Sequence, residues 1–252
     1  MLRRVHPRRC QLMIGVARRW HQTSLTTELI ENMDKKATWD RFYLETNGQQ
    51  NTNKFKNFEW FFGFDSVQDI ILPLLKHPTD SNTPVHVLDM GCGTSALGPG
   101  IYRHSPRPVA VTCVDISPVA VELMQEHTKR TLVKPKSPLS SLAFLELDCA
   151  RLKEHFKPQS LDLIVDKGTT DALLRSRDGR LKAEQILRQC LGVLRSTGSL
   201  IQFSDEDPDA RVLWLEKETL STGAANIGFQ EVGVLRGVCY YCYQITPHNA
   251  TQ

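Results

Sequence analysis

The sequence lacks the long apolar segments of membrane proteins. None of its hydrophobic runs is long enough to span a bilayer, and none matches the apolar core of a secretory signal. With 40% hydrophobic and 23% charged residues, the 252-residue chain has the composition of one globular α/β domain with short additions. We therefore expect no membrane partner.

Acidic residues are missing from the start of the chain, where the first one is Glu28. Before it, apolar residues fall roughly on one helical face, and six arginines lie largely elsewhere. An arginine-rich amphipathic segment without acids is typical of a mitochondrial transit peptide. We predict a leader over residues 1–23 and a location in the mitochondrial matrix. The alternative is a basic disordered tail that binds nucleic acid or nothing.

The seven cysteines lack the spacing of a zinc site or of a disulfide framework. Cys239 and Cys242 form a C-x-x-C pair, but no second pair accompanies it. Both fall in a predicted strand, where residues three apart point to opposite faces of the sheet. We therefore predict buried structural cysteines and no metal site.

A third glycine is absent from the turn around which the chain is organised. The β-branched run 85–88 predicts a buried strand, and Asp89, Gly91 and Gly93 follow it before Ser95, which can cap the next helix. Glycines let the backbone turn sharply and approach a ligand closely. A dinucleotide fingerprint requires a further glycine where Ala96 stands, and Asp89 would repel a pyrophosphate. An NAD-dependent oxidoreductase is therefore the disfavoured alternative to a pocket for a ligand that carries an ammonium group.

Beyond this turn, predicted strands and helices alternate as in a doubly wound parallel sheet. The expected strands cover 85–90, 109–115, 143–147, 161–165 and 199–203, and a hairpin of 229–235 with 238–245 closes the domain over 85–246. Four of these strands lead directly into aspartates at a shared sheet edge, where they would surround one ligand. Asp115 can accept both ribose hydroxyls of a nucleoside, and Asp148 can accept the adenine amino group. The four are Asp89, Asp115, Asp148 and Asp166.

The segment 24–84 is predicted to form an N-terminal extension. A helical pattern covers 28–45, and a dense aromatic stretch over 54–64 precedes a helix at 67–75. The aromatic rings could pack the extension onto the sheet, or they could form a lid over the ligand with Glu59 and Trp60 facing it; spacing alone favours neither. An acidic run at 204–209 is read as a solvated turn, or as a guide for a basic protein substrate.

Several of these motifs together resemble one enzyme family. They are similar to the seven-strand, S-adenosylmethionine-dependent protein-lysine methyltransferases that modify elongation factor 1A and related targets, and the leader suits a mitochondrial branch that acts on citrate synthase. Ser95 departs from the usual third glycine of the broader fold. The motif at 166–168 departs from the Asn/Asp-Pro-Pro-Tyr signature, which argues against methylation of nucleic-acid bases. The motifs are Trp39-Asp40-Arg41-Phe42-Tyr43, Phe58-Glu59-Trp60, Asp89-x-Gly91-x-Gly93-x-Ser95 and Asp166-Lys167-Gly168-Thr169-x-Asp171-Ala172.

The resemblance implies a Rossmann-like seven-strand α/β fold, mostly parallel with an antiparallel last strand, and a helical N-terminal extension. It implies S-adenosylmethionine as cofactor and a protein substrate, citrate synthase, with no nucleic-acid partner and a monomeric chain. Asp166 would be catalytic by orienting the lysine amine, while Lys167 and Thr169 would shape the turn. Another mitochondrial substrate, or an assembly factor without transfer activity, are the alternatives. The expected cofactor site comprises Glu59, Trp60, Asp89, Gly91, Cys92, Gly93, Asp115, Ile116, Asp148, Cys149 and Asp166.

Overall fold

A computed structural model describes residues 29–48, 55–75, 83–220 and 225–247. The predicted leader over 1–23 lies outside the described residues. Within the described ranges, each helix is too short or too polar to cross a bilayer.

The described chain forms one seven-stranded sheet in the order β3-β2-β1-β4-β5-β7-β6. Strands β1 to β5 are mutually parallel, and β7 runs antiparallel to both β5 and β6. This confirms the predicted fold class. The strands are β1 Val85–Met90, β2 Val109–Asp115, β3 Ser141–Glu146, β4 Leu161–Lys167, β5 Leu194–Ser204, β6 Ala225–Leu235 and β7 Val238–Pro247.

Helices cover both faces of the sheet, because its central strands are apolar on both sides. Val87 belongs to one buried cluster with residues of α2 and α3, whereas its neighbour Leu88 belongs to a second cluster with residues of α7 and α8. The described helices are α1 Lys36–Gly48, α2 Gln68–Leu74, α3 Leu97–His104, α4 Pro118–Thr131, α5 Leu152–His155, α6 Thr169–Arg175, α7 Arg180–Val193 and α8 Pro208–Leu220.

Several element boundaries differ from the sequence-based expectation, and two of these differences affect the site. The helix predicted over 28–45 is interrupted by a turn at residues 32–34, and α1 begins only at Lys36. The indole N–H of Trp39 stabilises this break by donating to the Met33 carbonyl at 2.8 Å. Strand β4 continues to Lys167, so Asp166 and Lys167 are strand residues and their side chains leave opposite faces.

The parallel register brings the strand ends together at the carboxyl edge of the sheet. Met90 of β1 lies beside Val114 of β2 on one side and Asp166 of β4 on the other. Strands β2 and β3 lie on one side of β1, whereas β4 and β5 lie on the other, so the strand order reverses at β1. In doubly wound folds a crevice opens at the carboxyl end of the strands at such a point. The glycine turn after β1 lies at this crevice.

Candidate active site

The glycine turn is packed so closely that side chains cannot replace its hydrogens. Gly91 and Gly93 have φ angles of +61° and +52°, which only glycine adopts without strain. A Cβ atom at Gly91 would lie 1.9 Å from the Thr169 hydroxyl oxygen, and one at Gly93 would lie 2.4 Å from the Tyr43 hydroxyl oxygen. The turn therefore presents bare backbone to the crevice.

The buried carboxylate of Asp115 joins the turns that follow β1 and β2. Its two oxygens accept hydrogen bonds from the backbone N–H groups of Gly93 and Ser117, both at 2.8 Å. The Ser117 hydroxyl in turn donates to Asp40 of α1 at 2.6 Å. Burial raises the pKa of Asp115 to about 6, although both backbone donors lower it. An ionised Asp115 still has lone pairs for ligand hydroxyls.

Asp89 is the acid directly before the glycine turn, and it is also buried. One of its oxygens accepts the backbone N–H of Gly98, near the start of α3, at 2.9 Å. Burial raises the pKa of Asp89 to about 7, while the charge of Lys167 and the Gly98 hydrogen bond act in the opposite direction. A cationic ligand group beside Asp89 would favour its charged form.

Asp148 lies just after β3 and is more exposed than Asp89 and Asp115. It accepts hydrogen bonds from the Lys182 ammonium at 2.8 Å and from the Ala150 N–H at 3.0 Å. Apolar side chains of Ile116 and Leu147 line the same cleft. A carboxylate beside apolar surface suits a flat heterocycle with an exocyclic amino group.

Asp166 is directed into the protein and away from the ligand space. Its carboxylate accepts the Thr169 N–H at 2.8 Å and the Gln202 amide N–H at 3.1 Å, and it also binds the Thr170 hydroxyl. It thereby satisfies backbone donors at the start of α6. Burial raises the pKa of Asp166 to about 6, and the Thr170 hydrogen bond opposes the rise.

Glu59 connects the aromatic stretch of the N-terminal extension to the core through hydrogen bonds. One of its oxygens accepts the Ala96 N–H at 2.8 Å, and the other accepts the Ser95 hydroxyl at 2.7 Å and the Lys167 ammonium at 3.0 Å. Lys167 also donates to the Trp60 carbonyl at 2.8 Å. These contacts hold the Trp60 segment against the glycine turn and β4. Trp60 itself lies over Gly168, whose Cβ would be 2.2 Å from the indole ring.

Nine of the eleven predicted site residues line one cleft, which contains about 850 Å³ of space including its open side. The other two, Glu59 and Asp166, make the contacts within its walls that are described above.

The sequence interpretation did not assign Trp39 and Tyr43 to the site, although their spacing of four on a helix was a usable signal. No local pattern marks Lys182, which lies 34 residues from its partner Asp148. Further lining residues include Met33, Asp34, Trp39, Tyr43, Phe58, Lys167, Thr169, Lys182 and Ile186.

Two residues that line the cleft each have one polar side-chain atom that is shielded from solvent and lacks a partner among the described residues. These atoms are the indole nitrogen of Trp60, a donor, and one carboxylate oxygen of Asp34, an acceptor. Buried polar groups in native proteins are nearly always paired. The two atoms are therefore candidate contacts for ligand groups in this cleft.

Comparison with known proteins identifies the family. A family model for a methyltransferase domain matches residues 81–224. A protein of Danio rerio named mitochondrial citrate synthase-lysine N-methyltransferase is 61% identical over 245 residues, which are 96% of this chain and 95% of that protein. The human protein of the same name is 42% identical over 214 residues, which are 83% and 85% of the two chains. This chain belongs to the lysine N-methyltransferases.

The methyltransferase has the fold of more distant enzymes as well. Magnesium protoporphyrin IX methyltransferase from Synechocystis PCC 6803, solved with bound S-adenosylmethionine, superposes with a TM-score of 0.55 at 14% identity and covers 84% of this chain and 96% of its own. The cofactor of the family is S-adenosylmethionine. Its ammonium and sulfonium charges, ribose hydroxyls and adenine amino group suit a cleft lined by the carboxylates of Asp89, Asp115 and Asp148.

Replacing Gly93 by alanine should weaken both folding and cofactor binding. The left-handed conformation alone costs about 1–2 kcal/mol for an L residue, and the new methyl group would displace Tyr43. We expect a lower melting temperature and at least tenfold weaker S-adenosylmethionine binding by calorimetry. Gly228→Ala is the control, since a Cβ there meets no atom within 4 Å. Equal effects of the two substitutions would contradict this account of the turn.

Asp89→Asn should change how the stability of the ligand-free methyltransferase depends on pH. The folded protein holds the Asp89 proton more tightly than the unfolded chain, because its pKa rises from 3.8 to about 7. Ionising Asp89 therefore costs stability, and this cost grows as the pH rises from about 4 through 7 and then levels off. The asparagine variant lacks that cost. We expect its free energy of unfolding, relative to the parent protein, to be higher at pH 8 than at pH 5.5 in urea titrations. A pH-independent difference would show that Asp89 does not titrate in this range.

Proposed function

We propose that this methyltransferase acts in the mitochondrial matrix and transfers methyl groups to a lysine of citrate synthase. The observation that carries the choice of substrate is the 61% identity to the Danio rerio protein of that name, which extends over 96% of the chain. The predicted leader over 1–23 supports the compartment. The cleft supports the chemistry, because it combines a bare glycine turn with carboxylates for a cationic nucleoside.

Each part of the cofactor has a matching group in the cleft. Asp115 would accept the ribose hydroxyls, and Asp148 would accept the adenine amino group between the apolar surfaces of Ile116 and Cys149. Asp89 would bind the ammonium group, and the unpartnered N–H of Trp60 would donate to the carboxylate. The bare backbone of Gly91, Cys92 and Gly93 would allow the amino-acid part to approach closely. S-adenosylmethionine supplies an electrophilic methyl group.

The acceptor lysine must lose a proton before it can attack. A free lysine has a pKa of about 10.4, and removal from water favours the neutral form. Lys167, which lines the same cleft, demonstrates the effect: burial lowers its pKa even though the Glu59 carboxylate raises it. The rest of the contribution of the protein is orientation of the two reactants.

Asp166 enters this proposal as a positioning residue. The sequence interpretation expects it to orient the incoming amine, and that role stays a prediction. Its hydrogen bonds with Thr169 and Thr170 allow it to act through the first turn of α6. Thr169 lines the cleft, and its hydroxyl binds the Met90 carbonyl at 3.0 Å. Asp166 thus couples the end of β4 to the surface on which the acceptor must lie.

The function is tested by incubating the purified chain with citrate synthase and methyl-labelled S-adenosylmethionine, followed by peptide mass spectrometry. We expect label on a lysine of citrate synthase.

Asp115→Ala should lose at least tenfold in cofactor affinity and activity, since it removes both ribose contacts. Asp166→Asn should lower kcat and leave cofactor affinity unchanged. The asparagine amide would place an N–H donor against the backbone N–H groups that Asp166 accepts, and this would disturb the first turn of α6.

Asp65→Ala, at an exposed position, is the matched control for both acids. Label on other proteins of a matrix extract, with none on citrate synthase, would overturn the choice of substrate. Normal cofactor binding by Asp115→Ala would overturn the cofactor assignment, and unchanged turnover of Asp166→Asn would remove that residue from the catalytic machinery.

The leader is tested by imaging the full chain in cells. We expect the intact protein, tagged at its C-terminus, to localise to mitochondria and to be shortened near residues 18–24. Deletion of residues 1–23 should leave the protein in the cytosol. A diffuse signal from the intact chain would contradict the matrix assignment.

A further inference from the structure

The segment before α1 spans the cleft. At one end, the Glu31 carbonyl accepts the backbone N–H of Arg177, just beyond α6, at 3.1 Å. At the other end, Lys36 forms an ion pair with Glu146 at the end of β3. The Trp39 indole fixes the Met33 carbonyl between these anchors. The turn is therefore held across the cleft from the α6 side to the β3 side, and Met33 and Asp34 line the space below it.

Asp34 differs from the other cleft aspartates in its hydrogen bonding. Asp89, Asp115 and Asp148 each accept at least one hydrogen bond from a backbone N–H group. One oxygen of Asp34 is shielded from solvent and accepts none within the described residues. Leaving a shielded acceptor without a donor is unfavourable. The missing donor is expected to come from a ligand.

The position of Asp34 favours a donor group of the protein substrate over a donor group of the cofactor. The cofactor groups that donate hydrogen bonds are matched by the aspartates at the sheet edge, whereas Asp34 belongs to the segment that crosses above that edge. Asp34 is partly exposed, so a side chain of a protein substrate can reach it. We infer that Asp34 binds the ammonium group of the acceptor lysine as it enters the cleft.

The neighbouring rings suit the same ligand. Trp39 and Trp60 both line the cleft, with ring centroids 6.0 Å apart in an edge-to-face arrangement. Indole surfaces pack against the alkyl part of a lysine and attract its ammonium group. Trp39 also fixes the backbone beside Asp34 through Met33. The acceptor subsite therefore takes a protonated primary amine on a flexible apolar chain.

This role predicts a specific kinetic pattern. Asp34→Asn retains the shape of the side chain and removes its charge. We expect about a tenfold increase in KM for citrate synthase, as for the loss of a charge-assisted hydrogen bond, with S-adenosylmethionine affinity unchanged within twofold. The melting temperature of the ligand-free protein should not fall, since the shielded oxygen of Asp34 has no hydrogen bond to lose within the described residues. Asp69→Asn, at an exposed position of α2, is the control.

A second measurement is independent of citrate synthase. With S-adenosylhomocysteine bound, titration with Nα-acetyl-lysine amide should change the tryptophan fluorescence, and Asp34→Asn should require about tenfold more of this amine. The Nε-acetylated analogue carries no ammonium group, so its binding should not distinguish the two proteins.

The outcomes separate the two proposals. If the parent protein does not methylate citrate synthase, the proposed substrate is wrong, while the amine titration still tests Asp34. If Asp34→Asn weakens S-adenosylmethionine binding and leaves amine binding unchanged, Asp34 belongs to the cofactor site and the inference fails. It also fails if neither ligand is affected, or if the substitution mainly lowers the melting temperature.

Discussion

The hydrogen bonding of the Asp115 carboxylate is the interaction on which the site depends. Burying a carboxylate is unfavourable, and the raised pKa of Asp115 reflects this cost. The carboxylate is retained because Gly93 and Ser117 each direct a backbone N–H group at it. The same two bonds fix the turns after β1 and β2 relative to each other, and Ser117 extends the connection to Asp40 of α1. The cleft is thereby held in a binding geometry by backbone donors.

The N-terminal extension is a structural part of the site, and its aromatic stretch divides between the core and the cleft. The core interpretation is confirmed for some of its rings, and the lid over the ligand stays a prediction. Phe62 and Phe64 are buried in the cluster that packs against the sheet, whereas Phe58 and Trp60 line the cleft. Glu59, between Phe58 and Trp60, does not line the cleft but binds the glycine turn and Lys167. The sequence alone could not divide these functions, because neighbouring residues in an irregular segment follow no periodicity.

The four strand-end aspartates show how far the sequence can predict the site. Apolar runs followed by acids indicate parallel strands, and parallel strands end at one edge, so the convergence of Asp89, Asp115 and Asp148 followed from local pattern. The orientation of Asp166 did not. Strand β4 extends two residues further than its apolar run, and the pleat then turns Asp166 towards Gln202 and leaves Lys167 in the cleft. The partners of Lys182 and Glu59 depend on contacts over tens of residues, for which a single sequence carries no signal.

The acidic run at 204–209 illustrates a different limit of sequence interpretation, because two of its carboxylates pair with arginines of α6 and α8. Arg211 of α8 is fully buried and binds Glu206 at 2.7 Å and Asp171 of α6 at 3.1 Å. Asp205 binds Arg175, at the end of α6. Ion pairs of this kind gain little net stability once desolvation is counted, but removal of one partner leaves an uncompensated charge. Their effect here is positional. They fix α6 at Asp171 and Arg175, while its first turn, at Thr169, forms part of the cleft.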